Sequence, residues 1–223
     1  MTYVFQFGIV FDKFHLLLEG AWLTVQLAAM ALGLGLAVAL SCAYLRTAGP
    51  KPLRWLVIGY VETIRNTPFL VQLYIIFFSL PQMGLRFEAN QAALAAMVIN
   101  FGAYATEIVR AGIQSVPTGQ IEVGMALGLK RFQIYRFIVL FPAIKAVFPA
   151  LASQFILLLL GSSVVAAISA KELTAIANTL QSTTFRAFEV YIVVAAMYLA
   201  IAVAFRGFFA AVHWFVFVRG RER

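Results

Sequence analysis

The sequence predicts an all-α integral membrane protein, a bundle of five transmembrane helices forming one domain over residues 1–223, and three observations carry that prediction. The first is composition: 63% of the residues are hydrophobic and 12% are charged, with a mean hydropathy of +0.92. A soluble domain draws about a quarter of its residues from the charged types. The second is where the charges fall. None occurs from Gly20 to Leu45, from Asn66 to Leu85, from Ala89 to Thr106, from Ala146 to Ala170, or from Val190 to Phe205. Most of these intervals match the ~20 apolar residues that carry a helix across the hydrocarbon core. The last is short and continues past Arg206 into Gly207–Val218. The third is texture: the runs are solidly apolar, whereas strands of a membrane barrel alternate over segments of ~10 residues. The expected spans are 21–45, 57–80, 90–110, 148–169 and 189–212.

Each element has local support. Met1–Phe11 carries no Lys or Arg ahead of its apolar residues, so it lacks the basic start of a cleavable signal, and the first span is expected to act as its own insertion signal. Thr47-Ala-Gly-Pro-Lys-Pro52 ends that span, and Pro52 suits the start of the next helix. Pro81-Gln-Met-Gly84 ends the second. Gly33 and Gly35 in the first span and Gly102 in the third are expected to let helices approach closely. Cys42 is the only cysteine, which excludes a disulfide within the chain; it reads as a packing residue, and no metal site is expected.

Charge asymmetry orients the bundle. Arg46, Lys51, Arg54, Arg65, Arg110, Lys130, Arg131, Arg136, Lys145, Arg206, Arg219, Arg221 and Arg223 fall on one side, against Lys13, Arg86, Lys171 and Arg186 on the other. The richer side is expected to be cytoplasmic, which puts the N-terminus outside and the C-terminus inside. The net charge of +8 and pI near 9.9 follow from these membrane flanks rather than from one basic face, so no nucleic-acid partner is expected.

The long stretch between the third and fourth spans, about 111–145, lies on the expected cytoplasmic side. Pro117 and Thr118 start a helix there, Glu122 and Lys130/Arg131 suit its dipole at either end, and Gly128 stops it. Ile121, Met125 and Leu129 make one apolar stripe, and a second short helix is expected from Phe132 to Leu140. Such a bent pair presents an apolar knob with a charged rim; a helix lying on the lipid surface has the same pattern.

Here the residues resemble a known family. Glu122-Val-Gly-Met-Ala-Leu-Gly128 followed by Ile138-Val-Leu140 looks like the EAA loop of permease subunits of ATP-binding-cassette importers. More narrowly, the chain resembles the polar amino-acid permeases of histidine, glutamine and glutamate type. Gly20-Ala-Trp-Leu-Thr-Val-Gln-Leu27 resembles their opening helix, and Tyr60-Val-Glu-Thr-Ile-Arg-Asn-Thr-Pro-Phe-Leu-Val-Gln-Leu73 their "RGTPLLVQL" stretch. Residues Gly102 to Pro117 resemble their third span, and Glu172-Leu-Thr174 after Gly161-Ser-Ser163 the segment following the fourth. Three departures stand out: Val123-Gly124 replaces two alanines, Phe141-Pro142 displaces a proline by one position, and Leu160-Gly161 stands where the family often has Lys-Asp or Lys-Asn.

The resemblance implies a type I importer bundle in the bacterial inner membrane. Its implied partners are two ATPase subunits, a second permease copy or paralogue, a periplasmic solute-binding protein, a polar amino acid and membrane lipid. No G-x-x-x-x-G-K-[S/T] occurs in the chain, so ATP and Mg are expected on the partner ATPase, with no cofactor on this chain. The ATPase-coupling residues are then Glu122, Val123, Gly124, Gly128, Leu129 and Lys130.

For the substrate path the polar residues within spans are Gln72, Asn100, Tyr104, Glu107, Gln154, Ser162 and Ser163; Asn100, Tyr104 and Glu107 share one helix face. A zwitterion needs acceptors for its ammonium and donors for its carboxylate, and this set offers both. The ordinary alternative is that amides and hydroxyls tie membrane helices together. Glu62/Arg65 and Glu107/Arg110 read as i, i+3 ion pairs. A channel or ion-coupled carrier acting alone would place carboxylates mid-span, and only Glu107 comes close. A membrane enzyme would need a clustered catalytic set, and His15 and His213 lie at opposite ends of the chain.

Overall fold

The computed structural model describes residues 3–219, apart from the side chains of Ala48 and Arg131; the expected cytoplasmic charges Arg221 and Arg223 lie outside the described residues. Among the described residues the chain is wholly helical. In order it runs α1 (Gly8–Asp12), α2 (Phe14–Ala48), α3 (Lys51–Arg65), α4 (Phe69–Tyr74), α5 (Ala89–Gln114), α6 (Thr118–Ala126), α7 (Arg131–Gln133), α8 (Leu140–Gly161), α9 (Leu173–Thr184) and α10 (Ala187–His213). A π turn and a 3-10 turn extend α4 to Met83, and a π turn extends α10 to Val218.

Four helical stretches are long and apolar enough to cross a membrane: Phe14–Thr47, Ala89–Gln114, Ile134–Ile168 and Ala187–Val218. They contain the expected first, third and fifth spans, and the fourth up to Ile168, where Ser169 turns left-handed. The expected second span, 57–80, is corrected. It is two pieces, α3 and a shorter apolar helix Phe69–Met83, separated at Asn66–Pro68. The cause is Pro68, which has no N–H for the helix ladder and pushes Thr67 out of the helical region.

The fourth crossing is corrected too. Phe132–Leu140 is not a separate short helix: α7, a π segment Ile134–Val139 and α8 form one rod. Pro142 falls in the first turn of α8, so the backbone bond it cannot donate is lost where the ladder is already loosened by the π segment.

α5 is the central post, and its start is fixed by a capping box between Glu88 and Gln91. Its small residues Ala92, Ala93, Ala96 and Ala105, with Met97 and Phe101, pack against Leu27, Ala28, Ala31 and Ala39 of α2 and against Phe155 and Leu159 of α8. Small side chains let these helices close without a hydrophobic drive in lipid. Two of the three expected glycines serve this contact. A Cβ on Gly35 would lie 2.7 Å from Phe101 Cδ1, and one on Gly102 would lie 3.0 Å from Val38 Cγ1, but Gly33 faces open space. The large apolar residues Trp22, Leu34, Leu40 and Tyr44 of α2 point outward, as helices in lipid require.

Candidate substrate cavity and coupling helix

The break at Pro68 opens a cavity of about 360 Å³ between α4, α5 and α8. Thr67, Pro68, Phe69, Asn100, Tyr104, Gln154, Leu157, Leu158 and Gly161 line it. Irregular backbone at membrane depth is tolerated where it borders a cavity, and here the start of α4 forms the wall. Of the expected path residues, the structure brings Asn100, Tyr104 and Gln154 to this cavity.

Gln72 stands behind it, holding the break in shape. Its amide nitrogen donates to Ile64 O at 2.7 Å, Thr67 O at 3.0 Å and Thr67 Oγ1 at 3.0 Å, while its oxygen accepts from Asn100 Nδ2 at 2.9 Å. Ile64 O, which Pro68 leaves without its helical donor, and Thr67 O, whose helical donor Val71 N turns to Pro68 O, are thus satisfied by one side chain. Asn100 is oriented by the same bond. Gly161 contributes bare backbone to the wall.

The remaining path residues lie elsewhere. Ser162 and Ser163 donate to Leu159 O at 2.6 Å and Leu160 O at 2.8 Å, so their hydroxyl protons are committed to their own helix. Glu107 is clamped between two arginines. Its Oε1 meets Arg46 of α2, and its Oε2 accepts from Arg110 Nε at 3.1 Å and Nη2 at 2.8 Å. The expected Glu107/Arg110 pair is present, and Arg46, distant in sequence, joins it. Glu62 and Arg65 do not pair. Glu62 accepts from Asn66 Nδ2 at 3.2 Å, and Arg65 lies over the Tyr104 ring at 5.5 Å.

Two carboxylates that the sequence did not mark as structural ties are fully buried. Glu172 caps α9 by accepting from Ala175 N at 2.9 Å, and it also accepts from Tyr198 OH at 2.6 Å and Thr24 Oγ1 at 3.3 Å. It thereby joins α2, α9 and α10 where Gly20 packs against Leu173. Glu189 accepts from Tyr3 OH at 2.5 Å and Gln6 N at 2.9 Å, fastening residues 3–6 to the start of α10. The available signal was a Glu at a helix start, Glu172 at the N-cap of α9 and Glu189 in the first turn of α10.

α6 starts after Pro117 and ends where Gly128 adopts φ +74°, the left-handed conformation that suits glycine. Leu129 N then bonds back to Gly124 O at 3.1 Å, closing the helix end. Gly124 is buried against the rod that follows: a Cβ there would lie 2.6 Å from Ile138 Cδ1 and 3.1 Å from Ile134 Cγ1. Ile121 and Leu129 pack with Val116, Ile134 and Val139, but Met125 faces outward, so the expected stripe is corrected. Leu129 lies beyond the Gly128 turn and off the helical period. The outer face carries Glu122, Lys130 and large apolar side chains: Val123 is 59% exposed, Leu127 72% and Phe132 76%.

Among the described residues no group of three or more His, Cys, Asp or Glu is placed to hold a metal. Residues 30–216 match the family described as binding-protein-dependent transport system inner membrane component. The probable glutamine ABC transporter permease protein GlnM of Bacillus subtilis is 37% identical over 196 residues, covering 88% of this chain and 91% of that protein. The octopine transport system permease protein OccM of Rhizobium meliloti is 34% identical over 222 residues, covering 96% and 91%. A solved structure of an amino acid ABC transporter with histidines superposes with a TM-score of 0.89 at 34% identity, covering 95% of this chain and 99% of that one.

Proposed function

We infer the function from one premise: the chain belongs to the family of binding-protein-dependent transport system inner membrane components. It is accordingly a multi-pass inner-membrane permease subunit that works with an ATPase and a binding protein, and its fold is that of type I importers. Its cargo is a polar amino acid, a reading supported by relatives named for glutamine and octopine. A partner ATPase, present in two copies, binds ATP and Mg. A second permease copy or paralogue completes the pathway, the helix from Phe69 to Met83 supplies the fifth crossing, and the N-terminus lies outside.

The observation that carries the coupling assignment is α6. A short helix anchored by Gly124 and ended by Gly128 holds Val123 and Leu127 out from the bundle between Glu122 and Lys130, beside the exposed Phe132 of α7. A water-facing apolar knob with a charged rim fits a partner groove. Closure of the ATPases would push α6, and its rigid junction with the α7–α8 rod would move the cavity wall at Gln154 and Leu157. The amino acid would occupy the Asn100–Tyr104–Gln154 cavity on its way through. A photo-crosslinking residue at Leu127 tests this docking. Capture of the ATPase from Leu127, and none from Trp22 on the lipid-facing side of α2, is the expected result. Capture from neither, in a complex that still transports, overturns the docking assignment.

A further inference from the structure

The break at Pro68 also decides which way round two amides stand. Gln72 is buried, and its Nε2 lies within hydrogen-bond distance of three acceptors: Ile64 O at 2.7 Å, Thr67 O at 3.0 Å and Thr67 Oγ1 at 3.0 Å. Turning this amide over would set its oxygen against two backbone carbonyls, so Nε2 stays on the break and Oε1 faces α5. An oxygen there needs a donor, and Asn100 Nδ2 supplies it at 2.9 Å. The backbone thus fixes Gln72 and Gln72 fixes Asn100. Oδ1 is then the atom that Asn100 has left for the cavity it lines. Thr67, beside it in the lining, is committed in the same sense. Its hydroxyl donates to Thr63 O at 2.8 Å while accepting from Gln72, so it has no proton to offer. Tyr104 OH is turned to Arg65 O as well, more weakly, at 3.5 Å. The wall made by Thr67 and Asn100 therefore presents acceptors, and among the described residues none that lines the cavity carries a charge.

We propose that Gln72 is a positioning residue of the transport path. By holding Asn100 with Oδ1 toward the cavity, it makes the α4–α5 wall take the ammonium of the amino acid and reject its carboxylate. The proposal rests on the amino-acid reading above. The two groups share one carbon, so the carboxylate stays in the same cavity, where Gln154 of α8 carries the amide N–H it needs. A freely turning Asn100 would not discriminate, because it can offer its oxygen to an ammonium or its Nδ2 to a carboxylate. Selectivity arises because Gln72 denies it the second orientation. The wall is oriented by backbone carbonyls rather than by a charged side chain, so it keeps its polarity without an ion held in the membrane.

The test measures binding of labelled polar amino acids to the permease–ATPase complex in nanodiscs, without the binding protein, so that the permease itself sorts the competitors. Two competitors are made from the amino acid that binds: its amide, which keeps the ammonium without the carboxylate, and its deaminated acid, which keeps the carboxylate without the ammonium. The unaltered complex should prefer the amide. Gln72→Met, of similar length but without hydrogen bonds, should narrow that preference by about ten- to a hundredfold, the effect of one charge-assisted hydrogen bond newly open to the deaminated acid. Adding Asn100→Asp should restore the preference, because both carboxylate oxygens accept in either orientation. A merely structural Gln72 would weaken both competitors together and leave their ratio unmoved. Should Gln72→Met fail to assemble, Asn100→Leu replaces it and should narrow the preference by weakening the amide alone. An unchanged ratio in the variant used, no recovery with Asn100→Asp, or an unaltered complex that prefers the deaminated acid overturns the proposal. If the unaltered complex binds no amino acid of the panel, the amino-acid reading itself fails, and this proposal with it.

Discussion

Replacing Gly124 by leucine should unseat the coupling helix, whereas alanine there should be tolerated. A first carbon on Gly124 lies 2.6 Å from Ile138 Cδ1 and 3.1 Å from Ile134 Cγ1, both on flexible isoleucine side chains. Alanine needs only a small shift of the Ile138 terminus. That cost is offset by the gain of about 0.8–1.0 kcal/mol when alanine replaces glycine within a helix. Leucine adds three further carbons on the side where Ile134 and Ile138 already fill the space. Overpacking of this kind costs about 1–3 kcal/mol, so the equilibrium constant for seating α6 should fall by roughly 5- to 150-fold. The assay is ATP hydrolysis stimulated by the loaded binding protein, read beside the amount of ATPase that co-purifies. Gly124→Ala should match the unaltered protein, and Gly124→Leu should lose most stimulation while remaining inserted. Full stimulation in Gly124→Leu would refute the account in which α6 transmits through its contact with the α7–α8 rod.

Other positions give further expected outcomes. Glu107→Gln should lower the melting temperature of the detergent-solubilised protein, because breaking a largely buried pair costs about 3–5 kcal/mol. Adding Arg110→Gln alone should restore less stability than adding Arg46→Gln as well, and equal restoration would show that Arg46 is not part of the clamp. Glu122→Arg should weaken ATPase co-purification by reversing a rim charge, and Gly128→Trp should do so by bulk and by strain at φ +74°; normal binding by both would remove this loop from docking. In a Cys42→Ala background, cysteines at Arg86 and Lys171 should label from outside and one at Lys130 only after permeabilisation. Outside labelling at 130 would reverse the orientation.

What was legible in the sequence tracks what each signal measures. Charge-free runs locate helices in lipid, and the four long helices lie where those runs are. The same signal passes over backbone chemistry: Asn66-Thr67-Pro68 lies inside an apolar stretch, and the stretch hid the break that creates the cavity. Pro117 and Gly128 act locally, so both ends of α6 were readable, while its packing face was not. Gly124 finds its partners at Ile134 and Ile138 because the chain turns at Gly128 and returns. Asn100, Tyr104 and Gln154 were readable as polar groups in apolar helices. Gln72 was readable as polar but not as the side chain that satisfies the broken backbone. Arg46 and Glu107 meet only through the packing of α2 on α5, and Glu172 reaches Thr24 and Tyr198 the same way. Such long-range pairs leave no mark in local pattern.

The central claim is that this chain moves a polar amino acid by coupling to ATP hydrolysis in a separate subunit. The most direct measurement is uptake of a panel of labelled amino acids into liposomes holding the permease and its ATPase, with the loaded binding protein outside and ATP and Mg trapped inside. The account predicts uptake of at least one polar amino acid that requires ATP, survives ionophores that collapse proton and sodium gradients, and vanishes when the trapped nucleotide is non-hydrolysable. Uptake that proceeds without ATP and follows an imposed ion gradient would contradict it.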